Sequence, residues 1–214
     1  MKKIFKNKML KAFALGLILI IPQVAKASGE FDSQKEAYMY GAGLNQNQIQ
    51  EVKNKLGLSD DINKSSVNGD DCQKYLGYKA EDYNMISSVS VKKLPKGSGI
   101  KVEILTPENI TSITQSQYTN AAITSGITDA EIKVASPTKV TGESALVGVY
   151  KAIEMYGEKV NTQSTQTAQE ELGTLKKISE ENENKESFDK DKLDQAVAEV
   201  KQNLKDYKDK NGQT

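Results

Sequence analysis

Apolar positions in the first third of the chain repeat with the period of an α-helix. Asn45 and Gln48 have the spacing of a capping box, in which each side chain bonds the backbone N–H of the other residue. Apolar residues follow at helical spacing until Gly57, namely Ile49, Val52 and Leu56. A second, shorter helix is predicted over 70–76 and ends at Gly77.

The middle of the chain alternates with a period of two, which is typical of β-strands with one buried face. Such alternation runs over 88–91 and again over 100–104, and the glycine-rich segment 96–99 lies between them. We interpret these two runs as the arms of a β-hairpin. A third alternating run, 131–135, predicts another strand, which Pro137 ends.

Two more helices are predicted around the third strand. Thr114 and Gln117 form a second capping-box pattern, and the helix that they open ends at Gly126 with three residues facing inward: Tyr118, Ala121 and Ala122. The next helix begins near Thr141 and ends at Gly157. Its inward residues recur at helical spacing: Ala145, Leu146, Val149, Tyr150, Ile153 and Tyr156.

Strands interleaved with helices predict an α/β (or α+β) fold over 28–157, a small sheet with a β-hairpin and interleaved helices. A C-terminal helical hairpin follows within 158–214, and the Thr-, Gln- and Ser-rich segment 161–169 indicates a linker ahead of it. The last helix carries a narrow apolar stripe, made of Leu193, Val197, Val200, Leu204 and Tyr207. We expect this stripe to pack on the domain or on the helix of a partner.

The amino terminus has the three parts of a secretory signal peptide. A lysine-rich head without acidic residues precedes the apolar run 12–21, and small residues follow at Ala25 and Ala27. We predict a signal peptide over 1–27 that is cleaved before Ser28, which gives a secreted or extracytoplasmic, envelope-associated protein. The alternative is an uncleaved membrane anchor. A spanning helix needs about 20 apolar residues, and the run 12–21 is only about half that length. We expect no stable membrane span after cleavage.

Removal of the signal peptide changes the charge balance. The whole chain has 29 basic and 29 acidic residues, and every basic residue is a lysine. Six lysines lie in the removed segment, which leaves 23 lysines against 29 acidic residues, a net charge of −6. Because bidentate phosphate recognition depends on arginine, nucleic acid and anionic lipid are disfavoured as main ligands.

The chain contains no histidine and a single cysteine, Cys72. These absences remove the usual general base, the Ser–His and Cys–His nucleophile pairs, and the commonest ligands of transition metals. We therefore expect no cofactor, no metal centre and no disulfide within the chain. We interpret Cys72 as a small buried residue. A reactive thiol is less favoured, because the acidic neighbours of Cys72 disfavour a thiolate. A weak calcium site in the oxygen-rich stretch 60–71 is the alternative to a solvated loop.

Polar side chains at the starts of two predicted helices are the candidate binding residues: Thr114, Gln117, Tyr118, Asn120, Thr141, Glu143 and Ser144. They would line a polar groove, and the alternative is a capped helix start that faces solvent. The segment 142–146 superficially resembles a nucleophile elbow. Without histidine no hydrolase triad can be built, and Glu143 is better explained by the helix dipole. No catalytic residue is assigned.

Six blocks of sequence, taken in order, resemble one known family: Tyr40-Gly41-Ala42-Gly43-Leu44-Asn45, then 86–89, 99–104, 106–111, 117–127 and 134–146. They are similar to the domain of unknown function 1002 family, YpuA-like exported proteins found mostly in Gram-positive bacteria, over about residues 37–172. The resemblance implies an extracytoplasmic location and a role at the cell envelope, but no reaction, ligand or catalytic residue. Members usually continue with more helix, so the resemblance implies a short chain for the family.

These features favour a non-enzymatic protein that binds or scaffolds another component of the cell envelope. A protein partner would be reached through the apolar positions of the last helix: Leu193, Val197, Val200 and Leu204. A carboxylate-dependent hydrolase acting on cell-wall glycan is the alternative, because such enzymes need only aspartate and glutamate. The sequence singles out no carboxylate pair, so catalysis stays an open question.

Overall fold

The computed structural model describes residues 36–124, 126–185 and 187–211. The predicted signal peptide and its cleavage site lie outside these residues. The described strands are β1 (Glu36–Gly41), β2 (Asn63–Val67), β3 (Ser88–Lys93), β4 (Ile100–Ile104) and β5 (Ala130–Ala135). The helices are α1 (Gln46–Lys55), α2 (Gly69–Leu76), α3 (Gln115–Thr124), α4 (Glu143–Met155), α5 (Thr162–Asn182) and α6 (Lys190–Asn211), with a 3-10 turn at Asp82–Asn84.

The strands form one mixed sheet in the order β2-β1-β3-β5-β4. β1 pairs with β2 in parallel, and β4 pairs with β5 in parallel. The central strand β3 is antiparallel to both of its neighbours, β1 and β5. The predicted α/β class, with helices interleaved among strands, is therefore confirmed.

The predicted β-hairpin between 88–91 and 100–104 is wrong, because β5 lies between β3 and β4. β3 is instead an interior strand, paired with β1 on one side and β5 on the other, and its serines are buried as well as its valines. The glycine turn also serves β5 rather than β3. The backbone N–H of Gly99 donates to Asp129 Oδ1 at 2.9 Å, and Ala130 N donates to the Gly99 carbonyl at 3.1 Å.

Helices cover both faces of the sheet. On one face α4 lies across β1 and β3, and its apolar residues join the main core with side chains from α2 and α3. On the other face α1 covers a smaller cluster of buried residues: Tyr38, Leu44, Ile49, Val52, Leu56 and Ala135. A sheet buried on both sides explains why β3 and β5 carry small and apolar residues along most of their length.

The predicted caps are confirmed. At the start of α1, Asn45 and Gln48 exchange backbone-to-side-chain hydrogen bonds of 3.0 Å in both directions. At the start of α3, the Thr114 hydroxyl accepts from Gln117 N at 3.2 Å, and Gln117 Oε1 accepts from Thr114 N at 3.1 Å. These boundaries follow from short-range chemistry, which is why the sequence pattern locates them.

The prediction of a linker at 161–169 is wrong, because α5 begins at Thr162. Asn161 caps the helix by accepting a hydrogen bond from Ser164 N at 3.2 Å. Thr165 and Ala168 are buried, and the Thr165 hydroxyl donates to the Tyr75 carbonyl of α2 at 2.6 Å. Small polar side chains that resemble a linker in composition are here the means of close packing between two helices.

The two C-terminal helices both pack against α3. Among the residues that the structure describes, no helix combines the length and the hydrophobicity needed to cross a membrane. The division of the chain at Gly157 into a domain and a tail stays a prediction.

Candidate functional site

The last helix, α6, buries two charged residues and leaves part of its apolar stripe exposed. Asp194 is 0% exposed and Lys201 is 8% exposed, whereas Val200 is 48% exposed and Tyr207 is 61% exposed. The other members of the apolar stripe are half-buried: Leu193, Val197 and Leu204. Two charged residues of α6 are therefore buried while part of its apolar stripe is exposed, which departs from the ordinary pattern of a surface helix.

Asp194 contacts polar residues at the start of α3. The Thr114 hydroxyl donates to Asp194 Oδ2 at 3.1 Å, and Asn120 Nδ2 donates to the Asp194 backbone carbonyl at 3.2 Å. Burial raises the pKa of the Asp194 carboxyl, and the hydrogen bond from Thr114 offsets part of that shift.

Lys201 lies two helical turns beyond Asp194 and joins three helices. Its ammonium donates to the Thr124 hydroxyl of α3 at 2.7 Å and forms an ion pair with Glu171 of α5. A lysine with so little solvent exposure needs such partners, because an unpaired buried charge is costly. The position of α6 is therefore specified by polar contacts at two points.

The structure separates the seven candidate residues into two groups. On α3, Gln117 and Asn120 are buried, and α6 occupies the polar face that Thr114 and Asn120 present. At the start of α4, Thr141 Oγ1 donates to Glu143 Oε2 at 3.1 Å. Tyr118 connects the two groups, because its hydroxyl donates to the Gly142 carbonyl at 2.8 Å.

Ser144 takes part in a buried hydroxyl pair that ties α4 to the segment before β3. The Oγ atoms of Ser87 and Ser144 are 2.6 Å apart, and Ser144 Oγ donates to the Ser87 carbonyl at 3.0 Å. Ser87 Oγ also accepts from Ala145 N at 2.9 Å, which caps a helix whose N-cap residue, Gly142, has no side chain. These contacts explain the serine structurally, and ligand binding at the seven residues stays a prediction.

Carboxylates of the oxygen-rich stretch 60–71 form ion pairs with lysines. Asp60 pairs with Lys53. Asp71 Oδ2 accepts from Lys151 Nζ at 2.6 Å and from Asn68 N at 3.0 Å. Across the described ranges, no group of three or more His, Cys, Asp or Glu side chains is arranged to hold a metal ion.

Cys72 is buried, as the sequence predicts, at 1% exposure. Burial raises the pKa of its thiol, and a hydrogen bond with the Tyr78 side chain offsets part of that shift. A thiol with a raised pKa and almost no solvent contact is a poor nucleophile.

An open cleft of about 410 Å³ lies between the loop before α3, the C-terminal half of α5 and the start of α6. Its lining carboxylates, Glu180 and Glu183, stand three residues apart along the chain at the end of α5. They therefore do not face each other across the cleft, as the two carboxylates of a glycosidase do.

Sequence reasoning missed Asp194 and Lys201 as buried residues. Their spacing of seven places both on one side of α6, which is the available signal. That signal alone does not distinguish a buried polar contact from a solvated charged face. The missing information is the polar surface of α3, which only the folded chain brings opposite them.

Comparison with known proteins gives a family and one curated relative. The family model described as "Protein of unknown function (DUF1002)" matches residues 40–214. The chain is similar to "Uncharacterized protein YpuA" of Bacillus subtilis (strain 168), with 30% identity over 221 aligned residues that cover 96% of this chain and 73% of the relative. No solved structure matches the chain.

Proposed function

The chain belongs to the DUF1002 family of proteins of unknown function, and we propose that it is an exported, non-enzymatic protein that binds or scaffolds another component of the cell envelope. The observation that carries this proposal is the orientation of α6. α6 contacts α3 through Asp194 and Lys201, and Val200 is left 48% exposed. Val200 and Tyr207 are the exposed members of one apolar stripe, and an exposed apolar patch of this kind supports a protein-binding surface.

The occupant that best fits this surface is an amphipathic helix of another envelope protein. The stripe residues are separated by four, three, four and three positions, which is the spacing of a coiled-coil seam: Leu193, Val197, Val200, Leu204 and Tyr207. Ala196 and Asn203 are exposed and lie beside the outer edge of the stripe on a helical projection. Because both are small and uncharged, a second helix could approach closely there.

Export is the second part of the proposal, and its support is the signal-peptide pattern over 1–27. We expect the mature protein to be found outside the cytoplasm and to begin at Ser28. Fractionation followed by sequencing of its amino terminus measures both properties. A protein that starts at Met1 and stays in the cytoplasm would contradict this part of the proposal.

Site-specific photo-crosslinking on intact cells tests the binding surface. A photoreactive residue at Val200 is expected to give a covalent adduct with one envelope protein, identified by mass spectrometry. The control position is Gln195, which is exposed on another side of α6 and is expected to give no such adduct. The identified protein, once purified, should bind the wild-type chain and lose at least about tenfold in affinity towards Val200→Glu, because a charge would enter an apolar contact.

Three outcomes would contradict the proposal. Equal labelling from Val200 and Gln195 would mean that the stripe is not a specific surface. An adduct with a second copy of the chain would replace the envelope partner by self-association. Cleavage of wall glycan by the purified protein would replace the non-enzymatic role by a hydrolase.

A further inference from the structure

Two buried oxygen atoms at the contact between α3 and α6 have no hydrogen-bond donor: Asn120 Oδ1 and Asp194 Oδ1. They belong to residues already in contact, since Asn120 Nδ2 donates to the Asp194 carbonyl. Asn120 is 3% exposed and Asp194 is 0% exposed, so both residues are shielded from bulk solvent. A pair of buried acceptors without donors is unfavourable, and a proton added to the carboxyl would supply one donor.

We propose that Asp194 is a proton-dependent lock on α6: its neutral carboxyl holds the helix on α3, and its ionisation loosens the helix. In the neutral state the carboxyl is buried without a charge, and Thr114 still donates to its Oδ2 atom. In the ionised state a charge without a cationic partner on α3 is buried beside an unsatisfied amide oxygen. The proposal concerns how α6 is held and does not depend on what binds its outer side.

Within the described part of the chain, few charged groups surround Asp194. From α3 and its cap it is met by uncharged groups: Thr114, Gln117 and Asn120. The Thr114 and Gln117 side chains favour the ionised carboxyl, but burial outweighs them and the pKa of Asp194 is raised. On α6 itself, Lys190 favours the ionised carboxyl and Asp191 disfavours it. The Lys201–Glu171 pair lies further along the same contact, between α6 and α5.

The expected pH dependence follows from the direction of the Asp194 pKa. Burial raises that pKa above its ordinary value of 3.8, so the docked helix holds the proton more tightly than the released helix does. Docking is therefore strongest at low pH and weakens as pH rises through the raised pKa. Loosening of α6 at higher pH would make the polar face of α3 more accessible.

Hydrogen–deuterium exchange of the full exported chain measures this directly. After correction for the intrinsic exchange rates, amides of α6 should be about threefold or more better protected at about pH 4, where a carboxyl with a raised pKa is protonated, than at about pH 8. Amides of α4, whose apolar residues are buried in the main core, serve as the internal reference. In Asp194→Asn the protection of α6 should be independent of pH, because the amide cannot ionise.

Asp191→Asn is the matched control, since Asp191 is exposed on the same helix and its loss should preserve the pH dependence. Equal protection of α6 at the two pH values in the wild type would overturn the proposal, as would a pH dependence that survives in Asp194→Asn. If that variant does not fold, carbon-13 titration of the Asp194 carboxyl in the wild type decides the matter. A carboxyl that titrates at or below the ordinary aspartate range overturns the lock.

Discussion

Replacing Gly41 by alanine is expected to lower the free energy of unfolding by about 3 kcal/mol. A Cβ at this position would overlap the Met85 carbonyl and lie 2.8 Å from Ile86 N. The obstruction is backbone, so no side-chain rotation can relieve it. Strand β1 ends here and the segment before β3 crosses directly over it, so the change would separate two central strands of the sheet. Urea unfolding followed by circular dichroism measures the loss.

Gly173→Ala is the control for that experiment. Gly173 lies within α5 and is exposed, and a Cβ added there would have nothing within 4 Å. Alanine is the better helix former by about 0.5 to 1 kcal/mol, so this variant should be as stable as the wild type or more so. An unchanged stability for Gly41→Ala would show that the two backbone segments do not approach as closely as described.

Replacing Asp71 by alanine is the second large effect, with an expected loss of about 3 kcal/mol. The Asp71 carboxylate caps α2 through Asn68 N and pairs with Lys151 of α4 at 2.6 Å. Without it the Lys151 ammonium keeps a hydrogen bond to the Ser66 carbonyl at 2.7 Å but loses its counter-charge. Asp71 thus supports the start of α2 and the contact of α2 with α4. Through Lys151 it also supports the end of β2.

The neighbouring Asp70 provides a matched control, because its side chain is 86% exposed and its contact with Lys79 is 3.9 Å long. Asp70→Ala should change the free energy of unfolding by about 0.5 kcal/mol or less. The same urea titration compares the two variants. Similar small losses for both would mean that the Asp71–Lys151 pair contributes nothing to stability.

Local chemistry makes part of the fold predictable from the sequence. The capping boxes at Asn45 and Thr114 lie within one turn of the residues that they satisfy, so a short pattern contains the whole interaction. The glycines of the block 40–45 are a different case, because Gly41 is required by the backbone of Met85, which is far away in sequence.

Contacts between distant segments defeat the same reasoning. The alternation in 88–91 indicates a strand, but strand pairing is decided by segments that are far apart in sequence, and β5 takes the place of β4 as the neighbour of β3. The linker prediction for 161–169 fails for a related reason. Thr165 and Ala168 are buried, and Thr165 bonds α2, but composition alone does not reveal a surface that accepts small side chains.

The candidate site shows the same limit at the level of side chains. The polar residues at the start of α3 do meet a partner, since Thr114 and Asn120 bond α6. That partner is α6, a helix of the same chain, and the contact is made by its buried residue Asp194. A charged residue is exposed in most helices, so nothing in the local sequence marks Asp194 as buried.

The most direct test of the proposed surface is a hydroxyl-radical footprint of α6 in the dilute wild-type protein, measured residue by residue with mass spectrometry. We predict that Val200 and Tyr207 are modified at the rates of exposed side chains, comparable for tyrosine with Tyr83, which is 70% exposed. Buried reference residues such as Val89 and Tyr118 should be protected. Protection of Val200 and Tyr207 to the level of these references would mean that α6 packs through its apolar stripe, and would contradict the binding surface proposed for it.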